Sequence, residues 1–303
     1  MKGMQLLLDE LIVKYKPRTS EGRLASYIPE LSKADKGALA VVVAGAAGIA
    51  ASAGDTRVRF TLQSVSKLFA LALALLDNGT ETVFSRIGME PTGDSFNSLM
   101  RLETFSSLKP INPLVNAGAI ATTALIKGNS VAEKFSRLTE FVRALAPDCY
   151  VGFNEAVYRS ESLSGDRNRA IAYFLRDIGA LEGSAEESLD LYFRQCSLEA
   201  DCFTLATLAN ALAGCRDTTL LPRQYCRIIR TFMFTCGMYN ASGEFAVKVG
   251  FPAKSGVSGA ILGIVPGSLG LGVYGPSLDP KGNSVAGVAL LAELSERANL
   301  YLL

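Results

Sequence analysis

Strand-like and helix-like signals are segregated along this chain, and that segregation restricts the folds open to it. Residues 39–43 and 48–53 read as two strands around a Gly-rich turn, and residues 57–62 read as a third. From Lys67 to about Leu212 the signal is almost wholly helical, and segments 131–145 and 168–178 show apolar spacings of three and four. Loops at 89–94 and 109–113 punctuate it. After Phe232 the texture changes: 245–249, 260–265 and 270–274 read as short strands separated by Gly and Pro. Helices are expected over 5–16 and, closing the chain, over 284–298. The economical solution is an α+β fold, one antiparallel sheet built from both ends with a helical lobe inserted between. With no linker, internal repeat or low-complexity segment, residues 1–303 are expected to form a single catalytic domain with two lobes.

At the entrance to the helical region stands Gln63-Ser64-Val65-Ser66-Lys67, followed by an apolar run to Leu76. Residues three apart share a helix face, so the Lys67 amine is expected to reach the Ser64 hydroxyl. A helix start also leaves the Ser64 N–H without an intrahelical acceptor, free to donate to a developing oxyanion. The chain has no histidine, which excludes Ser-His-Asp and Cys-His catalysis and any zinc site that needs imidazole. A serine nucleophile here must be activated by Lys, Tyr or a carboxylate, and Ser-x-x-Lys is a known solution of that kind. The pattern occurs again at Ser106-Ser107-Leu108-Lys109, but that copy runs into Pro110 and precedes no apolar run.

Composition narrows the class. The chain is 49% hydrophobic and 19% charged with net charge +1, which gives it ample core and no basic run, against nucleic acid as a partner. The apolar stretches 38–53 and 68–76 are too short or too Gly-rich to span a membrane. The N-terminus reads as an amphipathic helix rather than a signal peptide. Cys149, Cys196, Cys202, Cys215, Cys226 and Cys236 form no C-x-x-C pair and read as reduced core thiols. A cytoplasmic protein is expected.

Other segments can carry chemistry. Lys254-Ser255-Gly256 lies just before a strand, as in serine enzymes built around Ser-x-x-Lys, although alone it suits an ordinary hairpin turn. There a backbone N–H could supply a second oxyanion donor, and Lys254 a nearby positive charge. Asn116 directly precedes a small-residue helix, a common place for an N-cap. Glu161 and Asn168 can flank one helix–helix corner. Tyr27, Tyr192 and Tyr239 would each pass for ordinary tyrosines.

Together these segments resemble the serine-dependent glutaminases, a family of the beta-lactamase-like serine hydrolases. The landmarks are Gln63-Ser64-Val65-Ser66-Lys67, Asn112-Pro113-Leu114-Val115-Asn116-Ala117-Gly118-Ala119-Ile120, Tyr192-Phe193-Arg194-Gln195-Cys196-Ser197, Cys236-Gly237-Met238-Tyr239 and Pro252-Ala253-Lys254-Ser255-Gly256-Val257. Departures are Ser95, where Pro is usual, and Ala260, where Gly is common. The resemblance implies a beta-lactamase/transpeptidase-like fold and hydrolysis of L-glutamine to L-glutamate and ammonia, with no metal or organic cofactor. It implies that Ser64 becomes a glutamyl ester, that Lys67 takes its proton with help from Tyr239 and Tyr27, and that the Ser64 and Val257 N–H groups hold the oxyanion. Gln63, Asn116, Glu161, Asn168, Tyr192 and Tyr239 are implied as substrate contacts, with Glu161 facing the ammonium. A homodimer or homotetramer is implied, with neither nucleic acid nor membrane as partner.

The chemistry makes one physical demand. A lysine at its ordinary pKa of about 10.4 is neutral at pH 7 in only roughly one molecule in 2,500, so Lys67 must be shifted, and burial and the charge of Lys254 are both expected to contribute. Two other readings remain: a penicillin-interacting serine hydrolase with the same two motifs, and a silent glutamine-binding protein. The missing export signal and the Glu161/Asn168 pair disfavour the first, and the intact Ser64, Lys67 and Tyr239 disfavour the second.

Overall fold

A computed structural model describes residues 2–98, 109–214 and 219–302. In chain order it runs α1 (Lys2–Tyr15), β1 (Ala40–Gly45), β2 (Gly48–Gly54), β3 (Phe60–Thr61) and α2 (Lys67–Arg86). There follow α3 (Asn116–Ala124), α4 (Val131–Leu145), β4 (Gly152–Phe153), α5 (Glu155–Ser164), α6 (Asp166–Asp177) and α7 (Ala185–Cys196). The last part holds β5 (Leu198–Ala200), α8 (Cys202–Ala213), α9 (Arg223–Cys236), α10 (Ser242–Lys248), β6 (Ala253–Ser255), β7 (Ala260–Val265), β8 (Leu269–Tyr274) and α11 (Val285–Ala298). No helix among the described residues is long and apolar enough to cross a membrane.

The main sheet is antiparallel with strand order β2-β1-β8-β7-β6, so strands from the two ends of the chain meet at the β1–β8 pair. The α+β expectation is met. One sheet face is covered by α1 and α11 through Leu8, Leu11, Leu290, Leu291 and Leu294. The other carries α8, and beyond it the helical lobe packs around α2.

The sheet face under α8 explains the small residues of β8. Alternating side chains along a strand share a face, and Gly270 and Gly272 are the two that look at α8. A Cβ at Gly272 would lie 2.5 Å from the Cys202 carbonyl oxygen and 2.7 Å from the Ala206 amide nitrogen. Backbone therefore packs on backbone here, and α8 is buried on nearly all sides. Side-chain caps start several helices: Ser130, Asn154, Ser184, Asp201 and Ser284 each accept from an N–H three residues on.

Three details differ from the sequence reading. Segment 245–249 is not a strand: it lies at the end of α10 and the residue that caps it, because Phe245 buries against Phe251 in a one-sided helical pattern. The third N-terminal strand shortens to β3, and it joins a separate three-stranded sheet of order β3-β5-β4 rather than the main one. Strands β4 and β5 lie within the stretch read as helical, and two- or three-residue strands carry no period to detect. Ser106, Ser107 and Cys215 lie outside the described residues.

The helix-on-sheet contact has a measurable cost if disturbed. Gly272→Ala is expected to lower stability by about 2–3 kcal/mol, read as a lower denaturation midpoint at unchanged m-value.

Candidate active site

The small sheet and the hairpin of the main sheet converge on Ser64. Leu62 N–H donates to the Leu198 carbonyl at 2.7 Å, which ties the chain after β3 to β5. A 3-10 turn over Gln63–Ser66 then leads into α2, and the Ser66 hydroxyl closes it by donating to the Gln63 carbonyl at 2.7 Å. Gln63 has φ +46°, a left-handed conformation that a side chain adopts only under constraint. On the facing side Tyr239 has φ +56°, so strained backbone flanks Ser64 from two elements.

Lys67 begins α2 and is 1% exposed. Its Nζ donates to the Asn116 Oδ1 at 2.7 Å and to the Leu114 carbonyl at 3.0 Å, both uncharged acceptors. Burial pushes its pKa down to about 8, opposed by the Cys196 and Glu161 charges. The Tyr239 hydroxyl lies within hydrogen-bond reach of Ser64 and donates to the Ser255 carbonyl at 3.2 Å. Ser64, Lys67 and Tyr239 are all buried, and the hydrogen bonds of the Lys67 amine go to Leu114 and Asn116 rather than to the Ser64 hydroxyl.

Lys254 is fully buried, but its amine is spent on structure. It donates to the carbonyls of Gly237 at 3.0 Å and Ser255 at 2.6 Å and sits 4.4 Å from the Tyr239 ring centroid. It staples the Tyr239 turn to β6. Burial and then the Lys67 charge push Lys254 well below the ordinary lysine range. At Lys67 the lowering comes from burial.

The residues expected to grip substrate surround this centre. Asn116 is the first residue of α3 rather than its cap: Val115 holds that position, and the Asn116 side chain bridges Lys67 and Asn168, whose Oδ1 accepts from Asn116 Nδ2 at 2.9 Å. Asn168 on α6 and Glu161 on α5 do flank one helix corner. Glu161 is 5% exposed, and its one hydrogen-bond donor among the described residues is Gln63 Nε2 at 3.4 Å. Burial pushes its carboxyl up to about 8. Tyr192 is buried on α7 beside Cys196, a thiol one turn further on that also neighbours Ser66. Val257 is buried at the β6–β7 turn, which Gly259 N–H closes onto the Gly256 carbonyl at 2.9 Å. Tyr27 is 54% exposed as a whole residue, yet burial of its hydroxyl, with the Tyr239 and Glu161 charges beside it, raises its pKa well above the ordinary value. Its polar end therefore belongs to this site; with Val257 and Phe96 it also lines a cleft of about 700 Å³.

Two features escaped the sequence reading. The Leu114 carbonyl, a backbone atom, is invisible to residue patterns, although Asn-Pro at 112–113 signals the turn that places it. Phe96, whose ring centroid lies 4.7 Å from that of Tyr239, had no signal at all.

The model of the Glutaminase family matches residues 22–302. The chain belongs to the glutaminase family. A glutaminase of Clostridioides difficile is 50% identical over 98% of this chain and 97% of its own length, and one of Fusobacterium nucleatum is 50% identical over 98% and 99%. Among solved structures, a Bacillus glutaminase in 4.3 M NaCl superposes with TM-score 0.92 at 36% identity, covering 99% of both chains. A probable glutaminase of Bacillus subtilis complexed with 6-diazo-5-oxo-L-norleucine gives TM-score 0.91 at 34% identity over 99% and 96%. The beta-lactamase-like fold and the glutaminase activity follow from this membership, which also disposes of the penicillin-interacting and silent-binder readings.

Glu161 yields a stability prediction with a definite sign. Its carboxyl titrates near 4.5 when unfolded and about 8 when folded, so its favourable contribution is complete below 4.5 and is lost as pH rises to 8. Relative to wild type, Glu161→Gln is expected to gain stability progressively from pH 4.5 to 8 and then level off, by a few kcal/mol. Thermal melts across that range check it.

Proposed function

We propose that this glutaminase hydrolyses L-glutamine through a glutamyl ester on Ser64, with Lys67 as the base. The observation that carries the reading is the Lys67 amine, buried against two neutral acceptors and brought to about 8, one turn from a serine hydroxyl. A neutral fraction that is negligible for an exposed lysine becomes substantial at such a value.

The Ser64 oxygen attacks the side-chain carboxamide carbon while its proton passes to Lys67, with the Tyr239 hydroxyl as a stabilising neighbour. The N–H groups of Ser64 and Val257 receive the oxyanion. The tetrahedral adduct collapses as the proton is returned to nitrogen, ammonia departs, and water repeats the sequence on the ester. At the other end of the substrate, Glu161 takes the α-ammonium, and Gln63, Asn116, Asn168 and Tyr192 surround the α-carboxylate. An empty site keeps Glu161 protonated well above the ordinary range, and an arriving ammonium draws that proton off. Tyr27, whose hydroxyl interacts with Tyr239 and Glu161, assists the proton transfer beside Tyr239. A Bacillus subtilis glutaminase forms a covalent complex with 5-oxo-L-norleucine by reaction with 6-diazo-5-oxo-L-norleucine, which supports covalent chemistry at the matching carbon. Nothing in this sequence of steps requires a cofactor.

The protein is further read as a single catalytic domain that works in the cytoplasm as a homodimer or homotetramer. The five described cysteines are free, as suits a reducing compartment. Leu163 and Val247, which are 84% and 88% exposed, offer apolar surface that a second copy can cover.

Ser64→Ala is expected to abolish ammonia release from L-glutamine, by about 10⁴-fold or more, while calorimetry still detects glutamine binding. In the wild type, kcat/KM rises with pH through about 8, because Lys67 and Glu161 must both be deprotonated in the free enzyme. Turnover surviving in Ser64→Ala would remove the nucleophile from this account.

A further inference from the structure

The loop that precedes α3 does more than deliver Asn116. Asn112 is fully buried, and its Oδ1 accepts from the N–H groups of Leu114 at 2.9 Å and Val115 at 3.1 Å. Its Nδ2 donates to the Glu90 carbonyl at 2.8 Å, which anchors the turn to the preceding loop. With two of its own amides clamped on one side-chain oxygen, the backbone at 112–115 has a single conformation, and in that conformation the Leu114 carbonyl accepts from Lys67 Nζ at 3.0 Å. Pro113 fixes φ between them. Gly118 packs so closely on the Asn112 carbonyl that a Cβ has no room. These features converge on one backbone oxygen that touches the lysine.

We propose that Asn112 is a positioning residue for the base: its carboxamide holds the Leu114 carbonyl as one of the two acceptors that orient the Lys67 amine. This rests on the reading of Lys67 as the base.

A neutral amine has two N–H bonds and one lone pair. When Leu114 O and Asn116 Oδ1 each take one N–H, the lone pair points in a remaining tetrahedral direction, available for the proton of Ser64. With a single fixed acceptor the amine rotates about its Cε–Nζ bond, and the lone pair loses its aim. Asn116 supplies only one of the two acceptors, its Oδ1, with its Nδ2 anchored on Asn168. The charged form is affected too. An ammonium that loses one oriented carbonyl is less well solvated in a buried site, and its pKa falls further. The titratable groups that act on that amine are Glu161, Cys196 and Lys254 in addition to the two acceptors, and none of them is substituted in an Asn112 variant.

The test is the pH dependence of kcat for ammonia release from saturating glutamine by wild type, Asn112→Ala and Asn112→Ser, with the folded fraction of each measured by thermal melting. Saturating substrate isolates Lys67, since Glu161 is then already ionised against the bound ammonium. Asn112→Ala is expected to lower kcat about 10- to 100-fold with KM within about threefold, and to move the acid limb of kcat to lower pH by up to about one unit. Asn112→Ser, whose hydroxyl can accept from the same N–H groups, is expected to restore part of both. Should Asn112→Ala fail to fold, Asn112→Cys, with its weakly accepting thiol, replaces it under the same expectations. A wild-type limb that stays in place in the folded variant, whatever the loss of rate, overturns the role of Asn112 and leaves Lys67 untouched. A wild-type kcat with no acid limb counts against the base itself.

Discussion

Much of the site depends on the burial of one lysine amine without a counter-ion. Moving Lys67 from an ordinary 10.5 to about 8 corresponds to roughly 3 kcal/mol held against the charged form. A carboxylate partner would cancel that and return a lysine that is always protonated. The structure offers the amine only neutral oxygen, from Leu114 and Asn116, and surrounds the start of α2 with apolar side chains from Leu68 to Leu75. The tight apolar core around α2 is therefore what raises the unprotonated fraction of the amine, as well as a source of stability.

A second consequence concerns how charge is shared. Lys67, Lys254 and Glu161 are all removed from water, and no pair of them forms a direct salt bridge among the described residues. Burial and then the Lys67 charge push Lys254 well below the ordinary lysine range, and its amine holds the Tyr239 turn through two carbonyls. Glu161 keeps its proton until a cation arrives. Below about pH 8 the resting site therefore carries the positive charge of Lys67 with no ionised carboxylate beside it. Keeping these groups out of water destabilises the free protein modestly.

The sequence revealed the architecture at the level of long periodic elements. The β-rich ends, the helical middle and the closing helix all had clear patterns, and β1, β7, β8 and α4 fall within a residue or two of their expected bounds. Short elements did not: Phe245 and Val247 mimic a strand, yet one turn of tertiary packing makes that segment helical, and β4 and β5 are too brief for any period. At the site, Ser64 and Lys67 could be chosen from spacing alone, whereas Tyr27, Asn116, Glu161, Asn168 and Tyr192 came from resemblance. Contacts made by backbone atoms, such as the Leu114 carbonyl, and by distant rings, such as Phe96, depend on tertiary placement that no local pattern encodes.

The central claim is that the amine of Lys67 is the perturbed base, and direct titration tests it. The enzyme labelled with ¹³C at lysine Cε would be followed by NMR from pH 6 to 11, with the Lys67 resonance assigned by its loss in Lys67→Met. A midpoint near 8 for that resonance is the result this account predicts. A midpoint at the ordinary lysine value, in a folded and active enzyme, would contradict it.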